Sequence, residues 1–309
     1  MTEPTSTMVL LGGEQTAPNL LPARHFLPDS IYVLHTDFGR SKLMAERLAL
    51  RLPAANIQLS EISAYDPKLA AATMLDLLRA SPGALVNTTG GTKPMSIAAL
   101  LAAREAACRP FYVRSQYGTT ELDFYTFDVA GLPAIENTVV IEDAIEIDDY
   151  LVAYFGADYQ FTGYGPGAGL AFEEAIHNAL ADNVDEIKVG WKHASGAVDV
   201  DFVVRCNNQI GIVEAKTGKK AETTEGIRQL AVAGGQRFFG TYTKRFLIVD
   251  RVWREKSNNR ALTEALGLVL VELPGFASEG VLNEPERSRL VETIHKALGK
   301  PTRSKDKAQ

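Results

Sequence analysis

The residues best suited to chemistry lie in a short apolar stretch, residues 201–218, with the sequence DFVVRCNNQIGIVEAKTG. Its second half is rich in isoleucine and valine, which favours a buried strand, yet it carries Glu214 and Lys216. Residues two apart project from the same face of a strand, so these two side chains are expected to lie together. An acid and an amine in so apolar a strand favour a reactive site.

Two asparagines in the middle of this stretch predict a hairpin. Asn207 and Asn208 tolerate the positive φ angles that a tight two-residue turn requires. The register that follows pairs Cys206 with Gln209, Asp201 with Glu214, and Asp199 with Lys216. This register depends on the turn length, because a longer turn would shift every pair.

The predicted pairing of Asp201 with Glu214 indicates a metal site. Two carboxylates about 5 Å apart at their Cβ atoms repel one another, unless a cation lies between them. Oxygen ligands suit Mg²⁺ or Mn²⁺ and not Zn²⁺. Lys216 would lie beside the ion, where it could hold the attacking water or stabilise charge on a phosphoryl oxygen. The competing interpretation is a charged surface face of an edge hairpin, without a ligand.

The D-x12-E-x-K spacing, from Asp201 to Lys216, resembles the signature of the PD-(D/E)XK nuclease superfamily. The resemblance implies a further carboxylate, and a third metal ligand, on an upstream helix. The stretch GAGLAFEEAI supplies Glu173 and Glu174 there, and Glu173 is preferred because it lies near the edge of the apolar stripe of that helix.

Three other positions are compared with the same superfamily. Arg228 and Gln229 stand on a later helix where family members often place a supporting polar residue, although most such side chains are merely solvated. Asp199 stands where relatives usually carry a glutamate, and Ala215 stands where a cysteine is common. The residues needed for the chemistry, Glu173, Asp201, Glu214 and Lys216, are all present.

A second candidate site is the glycine turn in VNTTGGTKPMSIAAL, between a buried strand and a helix. Free N–H groups and the helix dipole at such a junction favour an anion. The turn matches neither GxxxxGK[ST] nor GxGxxG, so ATP hydrolysis and dinucleotide binding are not favoured. The candidate ligand-binding residues here are Thr89, Gly90, Gly91, Thr92 and Lys93.

Loops after the first two strands are expected to reach the same site, since ligands of open α/β sheets bind beyond the carboxyl ends of the strands. The loop after the first strand contributes Gln15, Thr16 and Asn19, and the loop after the second contributes Thr36. Generic loop polarity is the competing interpretation of these four residues.

The TGGTK stretch resembles the signature of CARF domains (CRISPR-associated Rossmann fold), and EQTAPN after the first strand is similar to the start of one CARF-nuclease subgroup. DDYLVAYFG, the FEE helix, the D…ExK hairpin and GGQRFFG follow in family order. The chain therefore resembles the CARF–PD-(D/E)XK effector nucleases of type III CRISPR systems over nearly its whole length. The resemblance implies a homodimer that binds a cyclic oligoadenylate, most often cyclic tetra-adenylate, and then cleaves nucleic acid.

The elements that position these sites alternate between strands and helices in the first half, which predicts a mostly parallel, doubly wound α/β sheet. The expected organisation is a Rossmann-like CARF domain over residues 1–140 and a linker over 141–160. A restriction-endonuclease-like PD-(D/E)XK domain over 161–300 and a polar tail over 301–309 follow.

Composition supports a soluble globular protein, with 46% hydrophobic and 23% charged residues among 309. Two cysteines without a CxxC pair argue against a disulfide framework or a zinc cluster. The apolar runs are too short for a bilayer, and the start lacks signal-peptide features, so a cytoplasmic protein without a membrane partner is expected.

The net charge of −6 argues against a constitutive nucleic-acid coat protein. Residues 211–260, however, hold eleven Lys and Arg against five Asp and Glu, a local excess of +6. This excess is either a solvated face or the electrostatic footprint of a phosphate backbone.

The leading hypothesis is a cyclic-oligoadenylate-activated, metal-dependent nuclease of antiviral CRISPR defence. One alternative is a nucleotide-sensing regulator that binds nucleic acid without cutting it. Another is a ring nuclease that degrades its own activator. The sequence leaves open DNA or RNA as the substrate, the ring size of the activator, and Mg²⁺ or Mn²⁺.

Overall fold

The computed structural model describes residues 7–116 and 118–302, so most of the predicted tail lies outside the described residues. The chain divides between Gly156 and Ala157 into two units, each built on its own sheet, which confirms the predicted α/β class. Within the described ranges, no helix has the length and apolar character needed to cross a membrane.

The first unit contains seven strands and five helices among its described residues. The strands are β1 (Thr7–Leu11), β2 (Ser30–His35), β3 (Asn56–Glu61), β4 (Leu85–Asn87), β5 (Arg109–Gln116), β6 (Thr119–Phe127) and β7 (Pro133–Ile141). The helices are α1 (Ala17–Phe26), α2 (Gly39–Ala49), α3 (Pro67–Arg79), α4 (Lys93–Glu105) and α5 (Ile147–Phe155).

The first sheet has the order β3-β2-β1-β4-β5-β6-β7. The first five strands are parallel, and β6 and β7 are added antiparallel. All five residues of β1 are buried, as expected for a central strand covered on both faces. The chain order reverses between the neighbouring strands β1 and β4, which is where open α/β sheets form a ligand crevice.

Two segments of the first unit differ from what the sequence pattern indicates. The stretch after β1 forms a helix, α1, although it contains Pro18 near its start and Pro22 inside it. Within the predicted linker 141–160, residues Ile147–Phe155 form α5, and most of this helix is buried in the first unit. Asp149 of α5 forms an ion pair with Arg24 of α1, so part of the acidic segment is neutralised inside the fold.

The second unit contains a six-stranded sheet and five α-helices among its described residues. The strands are β8 (Tyr159–Phe161), β9 (Glu186–His193), β10 (Asp199–Cys206), β11 (Gln209–Lys216), β12 (Lys244–Val249) and β13 (Val269–Glu272). The helices are α6 (Leu170–Leu180), α7 (Glu225–Ala233), α8 (Asn258–Ala265), α9 (Gly275–Glu279) and α10 (Glu284–Leu298), and a 3₁₀ turn spans Gly218–Glu222.

The second sheet has the order β13-β12-β11-β10-β9-β8, with β11, β12 and β13 parallel and the others antiparallel. One face packs against α6 and α10 and buries Phe202, Val213 and Ala215. The opposite face of β11 carries Glu214 and Lys216 and is covered by α7. The hairpin of β10 and β11 therefore lies at the centre of the sheet, with helices on both faces.

Candidate functional sites

The hairpin has the predicted two-residue turn, with Asn207 at a φ of +53°. The ladder follows the predicted register from Cys206–Gln209 to Phe202–Val213 and ends there. The predicted pairs of Asp201 with Glu214 and of Asp199 with Lys216 are therefore not part of the ladder. Asp201 is also skipped in the pairing of β10 with β9. Where the ladder ends, Asp201 Oδ2 accepts a hydrogen bond from the backbone N–H of Ala215 at 2.7 Å.

Glu214 is the most deeply buried acid of this site, with 1% of its surface exposed. Its Oε1 accepts a hydrogen bond from Lys216 Nζ, whereas its Oε2 is buried without a hydrogen-bond partner among the described residues. Burial raises the pKa of Glu214 well above its usual range, and the charge of Asp201 adds to the effect. A buried carboxylate oxygen without a hydrogen-bond partner is costly, so this atom is chemically suited to contact a cation.

Two further acids share the electrostatics of Glu214. Burial raises the pKa of Asp201, although the N–H of Ala215 and the charge of Lys216 oppose the shift. Burial and the charge of Asp201 raise the pKa of Glu173, in the first turn of α6, to about 7. The structure thus couples Glu173 to the hairpin, whereas its neighbour Glu174 is exposed.

The charge of this group fits a divalent cation. Asp201, Glu214 and Glu173 with Lys216 would carry two negative charges if all four were ionised. Burial is the main cause that raises the pKa values of the three acids, and neighbouring carboxylates add to it. However, no set of three or more His, Cys, Asp or Glu side chains in residues 7–116 and 118–302 converges closely enough to hold a metal ion. The predicted three-acid ligand set is therefore not preassembled. Mg²⁺ commonly uses one or two carboxylates and keeps its waters, so a preassembled set of three acids is not a requirement for this ion.

The helix α7 approaches Lys216 closely because Gly226 has no side chain. A Cβ atom at Gly226 would lie 3.1 Å from Lys216 Cγ and 2.7 Å from Leu247 Cδ1. Gln229 lies one turn further along α7, and its Oε1 is buried without a hydrogen-bond partner among the described residues. Arg228 is exposed, so Gln229 is the better placed of the two predicted supporting residues.

The two departures from the superfamily pattern have clear positions. Asp199 is exposed at the end of β10, and its charge contributes to the raised pKa values of Asp201 and Glu214. Ala215 packs in the core on the face opposite to the acids, as the alternation of the strand predicts.

In the first unit, the glycine turn packs tightly on the end of β1. A Cβ atom at Gly90 would lie 2.1 Å from the carbonyl oxygen of Leu11, so only glycine fits there. Gly91 has a φ of +71°, a conformation that favours glycine. Thr92 caps α4: its Oγ1 accepts from the N–H of Met95 at 3.4 Å and donates to the carbonyl oxygen of Ala64 at 2.5 Å. Lys93 is exposed at the start of that helix.

Of the predicted residues after β1 and β2, Asn19 lies against the glycine turn, with its Nδ2 3.3 Å from where a Cβ at Gly90 would lie. Asn19 is buried, donates to the carbonyl oxygen of Leu11 at 2.8 Å and accepts from Asn87 Nδ2 at 2.9 Å. Thr16 and Thr36 are buried as well, and Gln15 Oε1 accepts a hydrogen bond from the hydroxyl of Tyr154 at 3.1 Å. None of these four residues lines the cavity described next.

A cavity of about 570 Å³ adjoins the glycine turn. Of the nine predicted ligand residues it is lined by Thr89, Gly91 and Lys93. The sequence interpretation missed its other side, where Tyr112 and Tyr125 from β5 and β6 face the outer side of α4. The signal for that side was the spacing of Lys93, Ser96, Ile97 and Leu100, which share one face of α4. Of the apolar residues of that face, Ile97 is exposed and Leu100 is only partly buried.

Neither a protein-family model nor a curated protein matches the chain. Several solved structures do. Can2 from Sulfobacillus thermosulfidooxidans, in complex with cyclic tetra-adenylate, is 13% identical with a TM-score of 0.67, over 96% of this chain and 97% of that chain. A protein of Vibrio cholerae is also 13% identical, with a TM-score of 0.68, over 95% of this chain and 99% of that chain.

A type III CRISPR defence DNA nuclease activated by cyclic oligoadenylate is 20% identical, with a TM-score of 0.58. The match covers 93% of this chain and 51% of that nuclease, so this chain spans about half of its length. At these identities the likeness concerns the fold. The chain has the two-unit α/β fold of these proteins, which confirms the predicted fold class.

Proposed function

We propose that the protein is a metal-dependent nuclease that is switched on by a cyclic oligoadenylate, cyclic tetra-adenylate foremost. The observation that carries the proposal is the Glu214 carboxylate, buried in a central strand. One of its oxygens accepts from Lys216, and the other has no hydrogen-bond partner in residues 7–116 and 118–302. A fold would not retain this arrangement for stability alone, because a buried ionisable group costs free energy unless it is fully paired.

Asp201 and Glu214 would hold Mg²⁺ or Mn²⁺, with Glu173 close enough to share their electrostatic field. The bound ion would supply a water of lowered pKa and neutralise charge on the scissile phosphate. The N–H of Ala215 orients Asp201, and Glu214 Oε1 orients Lys216 Nζ. These contacts hold the acid and the amine side by side before a substrate arrives.

Lys216 and Glu173 have different proposed roles in proton transfer. Burial alone would lower the pKa of Lys216, but Glu214 and Asp201 raise it above its usual value, so the amine stays protonated and acts as a hydrogen-bond donor. Glu173, with a pKa of about 7, can hold or release a proton at neutral pH. It is therefore the better candidate for carrying the proton of the attacking water or the leaving oxygen.

The first unit is the proposed sensing domain. Phosphate groups of the activator would bind at the N-terminus of α4, near Gly91 and Lys93, and an adenine would enter the cavity beside Tyr112 and Tyr125. The known complex of Can2 with cyclic tetra-adenylate, a protein of the same fold, supports this ligand class.

A homodimer is proposed as the functional form. Ile97 and Leu101 lie one turn apart on α4 and expose 56% and 46% of their surfaces, and Tyr112 beside them exposes 43%. Exposed apolar groups in such a row favour an interface. A two-fold dimer also matches the two-fold symmetry of a cyclic tetra-adenylate.

The proposal is tested with the purified full chain, Mn²⁺ or Mg²⁺, and labelled single-stranded DNA, duplex DNA and RNA, each with and without cyclic tetra-adenylate. Cleavage of at least one substrate is expected only with both metal and activator, and the Glu214→Gln variant should be inactive. If the Glu214→Gln variant cleaves as well as the wild type, the acidic cluster around Glu214 is not the catalytic site. Binding of nucleic acid without cleavage would favour the regulator, and degradation of the activator by Glu214→Gln would favour the ring nuclease.

A further inference from the structure

The 3₁₀ turn Gly218–Glu222 begins two residues after Lys216, on the chain that leaves the centre of the sheet. It carries Lys219 and Lys220, both exposed. Short exposed connections of this kind are usually the mobile parts of a fold. This turn, by contrast, is held by side chains from several positions after β12.

The start of the turn is held by Asp250, which is 3% exposed at the end of β12. Its Oδ2 accepts hydrogen bonds from Thr217 Oγ1 at 2.5 Å and from the N–H of Gly218 at 2.8 Å. Burial would raise the pKa of Asp250, but these donors and Arg251 outweigh it and lower the pKa. Asp250 is therefore a charged, fully engaged anchor at neutral pH.

The end of the turn is held by three more side chains. Trp253 Nε1 donates to the carbonyl oxygen of Ala221 at 2.7 Å, and Asn259 Nδ2 donates to the carbonyl oxygen of Glu222 at 2.9 Å. Arg251 forms an ion pair with the Glu222 side chain. Anchors at both ends hold the backbone that carries the two lysines, which is how a fold preorganises a binding surface.

Lys220 is near enough to the acidic site for its charge to act on Asp201. There it opposes, in part, the upward shift that burial gives to the pKa of this carboxyl. Lys220 forms only a loose ion pair with Glu225, at 3.7 Å between two largely exposed side chains. An exposed pair of this kind contributes little and can be exchanged for a phosphate oxygen.

We propose that the turn Gly218–Glu222 is a nucleic-acid contact in which Lys219 and Lys220 bind backbone phosphates that flank the phosphate at Asp201 and Glu214. Asp250 is the positioning residue that holds them. The proposal rests on the proposed nuclease function, whose site it extends, and it assigns part of the +6 charge excess of residues 211–260 to substrate binding. Because phosphates are the target, the contact is independent of base sequence.

The test measures binding of fluorescein-labelled single-stranded DNA, duplex DNA and RNA by anisotropy over a salt series, in a Glu214→Gln background of the full chain. Replacing both Lys219 and Lys220 by alanine should weaken binding at low salt about tenfold or more. It should also reduce the slope of log K against log salt by about one per lysine. Lys296→Ala is the matched control, an exposed lysine of α10, which packs on the opposite face of the sheet.

A second variant separates positioning from charge. Asp250→Asn removes a negative charge, so charge alone predicts tighter binding, whereas loss of the anchor predicts weaker binding with the lysines intact. We expect weaker binding. Thr217→Val removes one donor without changing the charge and should act in the same direction, with circular dichroism confirming that both variants fold.

The outcomes distinguish this proposal from the proposed function. An unchanged salt slope in the double lysine variant, or tighter binding by Asp250→Asn, would overturn the contact or its anchor while cleavage by the wild type still supports the nuclease. If the lysine variant binds more weakly but the wild type cleaves none of the substrates, the result would support the contact and count against the nuclease. A wild type that binds none of the three probes at low salt would overturn the contact.

Discussion

Asp201 accepts a hydrogen bond from the backbone N–H of Ala215 at 2.7 Å, across two strands that have ceased to pair. The pairing of β10 with β11 ends at Phe202–Val213, and the pairing of β10 with β9 skips Asp201. The ladder therefore does not place the two carboxylates of Asp201 and Glu214 in direct opposition, which would be destabilising. Glu214 Oε2 is buried nearby, without a hydrogen-bond partner among the described residues.

Replacing Glu214 by glutamine should abolish cleavage and stabilise the metal-free protein. Folding raises the pKa of the Glu214 carboxyl. Its contribution to the free energy of unfolding is therefore fully present below the pKa of the unfolded chain and is lost as the pH rises through the pKa of the folded protein. Glutamine keeps the shape without this loss, so the melting temperature should exceed that of the wild type by about 2–4 °C per kcal/mol gained. The difference should be larger at alkaline than at acidic pH. Equal melting temperatures of the wild type and Glu214→Gln at both acidic and alkaline pH would contradict the raised pKa of Glu214.

Metal binding should release protons below about pH 7. Glu173 holds its proton until its pKa of about 7, and a nearby cation would favour its release. Titration calorimetry with Mn²⁺ in buffers of different ionisation enthalpy measures the protons released. The contribution of Glu173 is the difference between the wild type and Glu173→Gln, and this difference should fade as the pH rises above 7. The exposed neighbour Glu174 supplies the control, since Glu174→Gln should release as many protons as the wild type.

Replacing Gly226 by alanine should destabilise the second unit and impair cleavage. The added Cβ would meet Lys216 Cγ and Leu247 Cδ1, so either α7 or the amine must shift, at a cost of about 1–3 kcal/mol. Chemical denaturation and a cleavage assay measure the two effects. At Gly39, at the start of α2, a Cβ meets nothing within 4 Å, so Gly39→Ala should leave both unchanged.

Replacing Lys93 by alanine should weaken the binding of cyclic tetra-adenylate about tenfold without altering the melting temperature. Lys93 is exposed at the rim of the cavity, where it would lose only a charge-assisted contact with the ligand. Calorimetry with the wild type and with Lys42→Ala, an exposed lysine of α2, gives the comparison. Equal affinities of the three proteins for cyclic tetra-adenylate would contradict binding of the activator at the glycine turn.

Replacing Leu101 by glutamate should convert a dimer into a monomer. Leu101 and Ile97 form the exposed apolar row of α4, and a charge at its centre would be desolvated in an interface. Light scattering after gel filtration reports the mass. The control is Leu69→Glu, which changes an exposed leucine of α3. A wild type that is monomeric with and without cyclic tetra-adenylate would contradict the dimer.

Local sequence signals predicted a good part of this protein. Short runs of apolar residues marked the strands, and Asn207 marked the turn that sets the hairpin register. The spacing of Asp201, Glu214 and Lys216 identified the acidic site, because a strand places alternate residues on one face whatever surrounds it. In the glycine turn, Gly90 and Gly91 stand where the backbone leaves no room for a side chain or adopts a positive φ.

Other features depended on residues far apart in the chain. The helix α1 was missed because Pro22 inside it argues locally against a helix, and its burial in the fold overrides that preference. The cavity lined by Tyr112 and Tyr125 forms only when β5 and β6 meet α4. Asp250 is 32 residues from Gly218 in the chain, and nothing local links the two.

The sequence by itself determined which elements form and which side chains share a face, since both depend on neighbours along the chain. Tertiary structure decided where the hairpin stops pairing, that the pKa of Glu173 is raised to about 7, and that Glu214 is buried deeply enough to raise its pKa. These properties arise from desolvation and from contacts between distant segments, and both exist only once α6 and α7 have packed on the two faces of the sheet.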